Sequence, residues 1–167
     1  MAIKGRARMD RRTKNLVQRL KKNDIAIINH DDIDEVAANS IIDIRPQAVI
    51  NAQPSITGRY HAKGAFKILK AGIPILDQVG EEIFGSVKEG VLLEIRENQV
   101  FWGNRLVAEG NWLTFEDVQD KLREANANSQ LELEHFVENT LEYAKKEKDI
   151  LLGNLQVPEL KINMLNR

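Results

Sequence analysis

The 167-residue sequence contains no cysteine. This absence excludes a disulfide framework and a thiolate metal site. The three histidines are far apart in the chain and form no HExxH-type pair, so we expect no bound metal. No apolar run reaches the roughly 18 residues that a membrane span needs. No apolar stretch follows the basic N-terminus either, as it would in a signal peptide, and we therefore expect a cytoplasmic protein.

An excess of charge of one sign is also lacking. The chain has 24 Lys and Arg against 25 Asp and Glu, for a formal net charge of -1. This balance excludes a globally basic nucleic-acid binder and an acidic tail protein. The hydrophobic fraction of 43% is sufficient for a core. Domains typically contain about 100–150 residues, so the length fits one domain with an appended element.

Residues 1–22 are predicted to form a basic N-terminal arm. Its first part is expected to be extended or mobile, and its second part to be a short helix with Leu16, Val17 and Leu20 on one edge. Two interpretations are open for this arm: it packs on its own domain, or it contacts RNA, anionic lipid or an acidic partner. It has no interleaved aromatic residues, which weakens any binding of single strands by stacking.

Residues 23–112 alternate short apolar runs with helical patterns. Isoleucine-rich runs such as 24–29 are typical of strands buried on both faces of a sheet. A β-α-β-α-β order favours parallel strands with right-handed crossovers, and closely spaced β segments with turn residues between them indicate a β-meander. We therefore predict an α/β fold with a βαβαβ parallel core followed by a β-meander. The predicted strands are 24–29, 48–51, 73–76, 91–96, 99–102 and 106–109, and the helices of the core are 33–41 and 65–69.

Residues 113–153 are predicted to be helical, as a linker or dimerisation region. Thr114 and Asp117 have the spacing of a capping box, so the first helix is expected to begin there. Asn128 and Ser129 are expected to end it, because short polar side chains compete with helical hydrogen bonds.

One long helix is expected to follow, from residue 130 to Gly153, and residues 154–167 are expected to be a tail. Charged residues cover most of this helix, and a narrow apolar stripe remains. Such a stripe suits pairing with a second copy, so we expect a homodimer through it. The stripe consists of Leu133, Val137, Thr140, Ala144 and Leu151.

The polar loop after the second predicted strand is the strongest candidate site. Residues Ser55–Tyr60 (SITGRY) join a strand to a helix, and ligands of open α/β sheets bind beyond the carboxyl ends of strands. Two hydroxyls, a backbone left accessible by Gly58 and the planar guanidinium of Arg59 suit a phosphate or carboxylate. The alternative is a structural loop with Arg59 paired to an acid such as Asp77. The predicted ligand-binding residues are Asn51, Ser55, Thr57, Gly58, Arg59 and Tyr60.

Polar residues after the first predicted strand also have two interpretations. His30 could act as a base, or it could be a helix-entry residue with local hydrogen bonds. A Mg²⁺ site could draw on the carboxylates of Asp24, Asp31, Asp32, Asp34 and Asp77. Asp31, Asp32 and Asp34 are more simply acids at a helix start, which the helix dipole favours. No catalytic constellation emerges from these residues, and we predict no catalytic residue.

Five segments and one helix carry a resemblance to a known family. The segments are GRARMDRRTKNLVQRL (5–20), DIAIINH (24–30), AVINAQP (48–54), the SITGRY loop (55–60) and GIPILD (72–77), and the helix is 131–152. Together they resemble the N-terminal region of the SteA-like family and the helix that leaves this region. The resemblance covers nearly the whole chain, and the SITGRY loop is its most specific part. The family is linked to cytokinesis in Gram-positive bacteria.

The resemblance implies a module that precedes a larger protein's catalytic part. In that family a domain similar to thiamine pyrophosphokinase follows this region, and membrane-spanning segments can follow in turn. ATP-dependent pyrophosphoryl transfer would then belong to the absent domain, so ATP is implied for the parent protein and no cofactor for this chain. Membrane contact would likewise occur only through parts that are not present here.

A more distant likeness concerns the fold. Residues 48–79 and the strands after them resemble the swivelling β/β/α domain that carries phosphohistidine in phosphoenolpyruvate-using enzymes. His61 lies near the place of that histidine, but an exposed loop histidine is the simpler interpretation. Relatives in the SteA-like family read Pro-Asn at His61-Ala62, which also counts against a shared role for His61.

We therefore expect a regulatory or scaffold module of a SteA-like cell-division protein. It would bind a phosphate-containing anion or a protein partner at the Ser55–Tyr60 loop. The alternative is a fragment that completes a nucleotide- or pyrophosphate-handling active site with a thiamine pyrophosphokinase-like domain. Nucleic-acid binding through the basic arm is a third and less favoured hypothesis.

Overall fold

The computed structural model describes residues 2–153, which form eight strands and five helices. Residues up to Asn126 make one compact unit, and the remainder of the last helix belongs to a second. The strands are β1 (Ala2–Met9), β2 (Ile25–Ile28), β3 (Ala48–Asn51), β4 (Ile75–Asp77), β5 (Leu92–Arg96), β6 (Gln99–Trp102), β7 (Arg105–Glu109) and β8 (Asn111–Trp112). The helices are α1 (Thr13–Leu16), α2 (Glu35–Ile44), α3 (Gly64–Lys70), α4 (Ile83–Ser86) and α5 (Phe115–Gly153).

All eight strands belong to one sheet, in the order β7-β6-β5-β1-β2-β3-β4-β8. Strands β1 to β4 are parallel neighbours. Strands β5, β6 and β7 extend the sheet antiparallel beyond β1, and β8 pairs antiparallel with β4 at the opposite edge. The prediction of an α/β fold with a parallel core, a β-meander and a long C-terminal helix is thereby confirmed.

The parallel strands bury both of their faces, because successive side chains along a strand point to opposite sides of the sheet. In β2, Ala26 and Ile28 pack under α1, α2 and α3 together with the start of α5. Ile25 and Ile27 pack on the other side, with α4 and the side chains of the meander. This two-sided burial explains why β2 and β3 are continuous apolar runs in the sequence.

The prediction of a basic arm at residues 1–22 is wrong for its first part. Residues 2–9 form β1, a central strand between β5 and β2. Its small residues Gly5 and Ala7 are buried, whereas Lys4 and Arg6 alternate with them and are exposed. A Cβ at Gly5 would lie 2.8 Å from the carbonyl oxygen of Asn23, so the close approach of β1 to the next segment requires glycine.

Several basic side chains of this segment pair with acids of the same domain. Arg8 Nε lies 3.2 Å from Asp24 Oδ2. Two guanidinium nitrogens of Arg19 donate hydrogen bonds to the carboxylate of Glu89, over 2.9 and 3.0 Å. Arg19 also donates a hydrogen bond to the carbonyl oxygen of Met9 over 2.8 Å. These contacts support the interpretation in which the basic segment packs on its own domain.

Helix α5 differs from its prediction in being continuous. The capping box at its start is present: Asp117 N donates to Thr114 Oγ1 over 3.1 Å. The expected break at Asn128 and Ser129 does not occur, because each residue lowers helix stability by only about 0.5 kcal/mol relative to alanine. The compact unit also extends past the expected boundary at residue 112, since Val118 of α5 is fully buried.

The structure leaves the expected tail, residues 154–167, outside its described part. Within residues 2–153, no helix combines the length and the apolar character that crossing a membrane requires.

The two edges of the sheet are short or irregular. β8 has two residues, and a register shift interrupts the β6–β7 pairing between Val100 and Phe101.

Candidate functional site

The carboxyl ends of the parallel strands lie along one edge of the sheet, where ligands of open α/β sheets bind. Polar residues follow each strand there. Asn29 and His30 follow β2, Asn51 ends β3, and Asp77 ends β4. Both the predicted loop and a neighbouring cleft are at this edge of the molecule.

Asn51 is fully buried and uses its whole hydrogen-bonding capacity inside the protein. Its Nδ2 donates to the carbonyl oxygen of His30 over 2.9 Å and to Ser55 Oγ over 2.8 Å. Its Oδ1 accepts from the N–H groups of His30 and Gln53, at 3.1 and 3.0 Å. No donor or acceptor of Asn51 is left for a ligand.

Ser55 is also fully buried, and it binds the carboxylate that ends β4. Its N–H and Oγ donate to Asp77 Oδ1 over 2.9 and 2.7 Å. Burial raises the pKa of Asp77, while the hydrogen bonds from Ser55 and Gln78 act in the opposite direction. Asp77 is thus paired with Ser55, and the alternative in which Arg59 pairs with Asp77 is wrong.

Thr57 and Asp32 hold the outer part of the loop. The N–H and Oγ1 of Thr57 donate to the two carboxylate oxygens of Asp32, each over 2.8 Å. Asp32 adopts a left-handed backbone with φ of 48°, which is uncommon outside glycine. Thr57 Oγ1 in turn accepts from the N–H of Arg59 over 3.1 Å, so the loop is tied to the β2–α2 connection.

The remaining predicted residues separate into buried and exposed groups. Gly58 is buried with φ of 87°, and a Cβ there would lie 2.9 Å from Glu124 Oε2. Arg59 and Tyr60 are exposed, and so is His61. The structure therefore does not bring the six predicted residues into one pocket. Asn51 and Ser55 are buried, and Thr57 binds the carboxylate of Asp32. Arg59 and Tyr60 are exposed to solvent.

A hollow of about 340 Å³ lies beside this loop, and its lining is acidic. Four carboxylates contribute to it against one ammonium group, that of Lys121. Such a lining repels anions and does not favour a phosphate. The carboxylates belong to Asp77, Asp117, Asp120 and Glu124.

A larger cleft of about 730 Å³ lies between α1 and α2, at the ends of β1 and β2, and its lining is basic. Arg11, Arg12 and Lys14 contribute three cations, against the single carboxylate of Asp34. Arg11 lies 3.9 Å from an oxygen of Glu81. Within residues 2–150, neither Arg12 nor Lys14 has a carboxylate partner, so both charges are available to a ligand.

His30 is positioned in this cleft from several sides. Its main chain is held by Asn51, and its Nδ1 lies 2.9 Å from Thr13 Oγ1. Its Nε2 lies 3.9 Å from Asp34 Oδ2, too far for a hydrogen bond. The order hydroxyl, imidazole, carboxylate is that of a nucleophilic site. However, Thr13 is only 7% exposed, and the geometry supports a fixed ligand-binding imidazole better than an activated nucleophile.

Asn29 adds an unused acceptor to the wall of the cleft. Its Nδ2 donates to Glu81 Oε1 over 3.0 Å. Its Oδ1 is buried and, among the described residues, is a side-chain oxygen without a hydrogen-bond partner. Buried acceptors usually have a partner, and an enclosed water molecule would supply the missing donor.

The basic cleft was not expected from the sequence. The sequence pattern places its cations in a basic N-terminal arm, separate from the sheet. Recognition of β1 would have placed Arg11, Arg12 and Lys14 directly after the carboxyl end of a parallel strand, where ligands bind. The signal for β1 was the alternation of basic and small residues between Lys4 and Met9.

Comparison with known proteins does not assign this chain to a family. No family model matches it, and no curated protein does. One similar solved structure is a 3-isopropylmalate dehydratase from Methanocaldococcus jannaschii, 14% identical over 87% of this chain and 99% of that one, with a TM-score of 0.46. Another is described as a novel cellulase from gut-associated microbes, 10% identical over 80% of this chain and 68% of that one, with a TM-score of 0.34. Likeness at this level supports no conclusion about function.

Proposed function

We propose that this chain is a non-catalytic regulatory module that binds a phosphate-containing anion in the cleft between α1 and α2. The observation that carries the proposal is the convergence of Arg12 and Lys14, both without acidic partners within residues 2–150, on the imidazole of His30, whose main chain Asn51 holds. This moves the expected anion site from the Ser55–Tyr60 loop to its neighbour. The loop keeps a structural role, because it holds Asn51 and thereby His30.

The size and the chemistry of the cleft support a small phosphorylated ligand. Ligand pockets typically measure about 300–1,000 Å³, and the cleft has about 730 Å³. A guanidinium and an ammonium group bind phosphate by charge-assisted hydrogen bonds.

The resemblance to SteA-like proteins would place this module at the front of a cell-division protein. In that setting the cleft would sense a nucleotide or pyrophosphate and report it to the rest of the protein. The same cations also support the second candidate, in which the chain completes a pyrophosphate-handling site with a thiamine pyrophosphokinase-like domain. In that case Arg12→Ala would abolish turnover by the full-length protein, whereas a sensor would lose binding and keep turnover.

Binding of inorganic pyrophosphate and of ATP tests the site by calorimetry and by thermal shift. A ligand that binds the native state raises Tm by mass action. We expect Arg12→Ala and Lys14→Ala each to weaken binding by about 10- to 100-fold, the size of one charge-assisted hydrogen bond. Both side chains are exposed, so neither variant should disturb folding.

Arg59→Ala is the matched control, since Arg59 is an exposed cation of the Ser55–Tyr60 loop, where the sequence predicts anion binding. It should retain the wild-type affinity to within about threefold, as for a charge outside direct contact. Loss of binding in Arg59→Ala with retention in Arg12→Ala would return the site to the loop. No binding of either probe at millimolar concentration would refute the anion site.

A further inference from the structure

The outer segment of α5, defined here as residues 127–150, exposes large apolar side chains. Seven of them lie between 46% and 68% exposed. Helices in proteins owe most of their stability to packing of an apolar face. A face of this composition therefore requires cover in water. The side chains are Leu131, Leu133, Phe136, Val137, Leu141, Tyr143 and Ile150.

Four of these residues, Leu133, Phe136, Tyr143 and Ile150, belong to a stripe of coiled-coil type. At 3.6 residues per turn, positions 133, 136, 140, 143, 147 and 150 follow a spacing of three and four residues along one side of the helix. Val137 and Ala144 widen the stripe. Leu131 is equally exposed but lies on the opposite side of the helix, and Leu141 lies beyond the edge of the stripe.

The charges of the outer segment are unequally distributed along its length. Residues 132–142 contain four glutamates and no lysine or arginine, whereas residues 145–149 contain three lysines and two acids, Glu147 and Asp149. In a parallel pair the acidic halves of two helices would face one another, as would the basic halves. In an antiparallel pair each acidic half would face a basic half, and like charges would be kept apart.

Glu147 gives a second reason for an antiparallel arrangement. It occupies a position within the apolar stripe. In a parallel, in-register pair it would meet its own copy across the seam, where two carboxylates repel each other and lose hydration. Reversal of one helix removes this meeting.

We infer that a second copy of this chain covers the stripe, with the two outer segments antiparallel and crossing near residue 142. This inference does not depend on the anion site. It identifies the partner and its direction from the spacing of the apolar residues and from the reversal of charge along the segment.

The oligomeric state is the first test, by sedimentation equilibrium of the full chain. We expect a dimer at micromolar concentration. Phe136→Ser should weaken the dimer at least tenfold, and Leu131→Ser should leave it unchanged, because Leu131 lies outside the stripe. A wild-type monomer at 100 μM would overturn the inference, and so would equal effects of the two variants. Both side chains are exposed in one copy, so the domain should stay folded, as its circular dichroism would verify.

The direction is tested with spin labels, which the absence of native cysteine makes straightforward. Labels at Asn128→Cys should lie roughly 40 Å apart in an antiparallel dimer that crosses near residue 142, at 1.5 Å per residue. Labels at Glu142→Cys, the control near the crossing point, should be close in either arrangement. A short distance at both positions would show a parallel pair and overturn the proposed direction.

Discussion

The side chain of Asn51 forms two hydrogen bonds with the main chain of His30. Its Nδ2 donates to the carbonyl oxygen of His30, and its Oδ1 accepts from the N–H of His30. Asn51 ends β3 and His30 follows β2, so side-chain atoms continue the pairing of these strands beyond their last residues. A residue expected to contact a ligand instead holds the main chain of His30, whose side chain lines the next cleft. This relationship makes the geometry of the cleft dependent on a fully buried amide.

Asn51→Ala should destabilise the protein by about 2–4 kcal/mol, since it leaves several buried polar groups without partners. Urea unfolding followed by tryptophan fluorescence measures the change in the free energy of unfolding. Asn126→Ala is the matched control at an exposed helical position, and it should be neutral or stabilising by up to about 0.5 kcal/mol. Equal stabilities of Asn51→Ala and the wild type would show that this network contributes nothing.

Ser55→Ala should raise the pKa of Asp77 further above its ordinary value. Burial already raises this pKa, and the Ser55 hydrogen bonds that oppose the rise would be halved. For an acid with a raised folded-state pKa, stability is highest below the unfolded pKa and is lost as pH rises through the folded pKa.

The loss of stability between acidic and neutral pH should therefore be larger in Ser55→Ala than in the wild type. Carboxyl ¹³C chemical shifts of Asp77 report its titration directly, and unfolding at several pH values reports the stability. An unchanged or lower pKa of Asp77 in the variant would contradict the role assigned to Ser55.

Glu89→Gln should remove a pH-dependent part of the stability. Hydrogen bonding from Arg19 holds the pKa of Glu89 below its ordinary value. Such a contribution is present above the unfolded pKa and is lost as pH falls through the folded pKa. The variant should be less stable than the wild type by about 1 kcal/mol at neutral pH, after allowance for solvent screening.

The difference between Glu89→Gln and the wild type should close as the solution is acidified below the ordinary range of glutamate. Glu82→Gln is a control at an exposed acid that does not bind Arg19, and it should not reproduce the loss of stability at neutral pH. A constant difference at all pH values would mean that packing, and not the charge of Glu89, stabilises the contact.

Gly64→Ala and Gly85→Ala should have opposite effects, although both glycines are helical. A Cβ at Gly64, the first residue of α3, would collide with the carbonyl oxygens of Ile33 and Asp34. We expect a loss of at least about 2 kcal/mol in the free energy of unfolding. Around Gly85 a Cβ would meet no atom within 4 Å, so alanine should stabilise α4 by up to about 1 kcal/mol. Similar melting temperatures of the two variants would disprove this contrast.

The parallel core could be predicted because the apolar character of β2 and β3 is visible within the few residues of each strand. Residues 25–28 and 48–51 are continuous apolar runs, and burial on both faces produces such runs. β1 could not be recognised in the same way. Its buried positions hold Gly5 and Ala7, which are weak strand formers, and its neighbours β2 and β5 supply most of the apolar contact.

The site was less predictable than the fold, because its contacts join residues that are distant in the chain. Ser55 and Thr57 have the hydroxyls expected of a phosphate loop, but their partners Asp77 and Asp32 are set by strand order. Sequence shows which groups can donate and does not show which acceptors lie opposite. Because β1 was predicted as part of a basic arm, the cations that follow it were not placed at the edge of the sheet. The wrong site and the wrong arm both concern the arrangement of strands in the sheet, which the sequence does not show directly.

The short β8 and the irregular pairing of β6 with β7 have a consequence for how the molecule meets its neighbours. An edge strand with free main-chain groups can template pairing with another molecule and start aggregation. Two residues at one end of the sheet offer little to pair with, and a shifted register with charged Arg105 and Glu109 disrupts the other end. Contacts with other chains should therefore form through side chains, and the sheet should not grow into fibres.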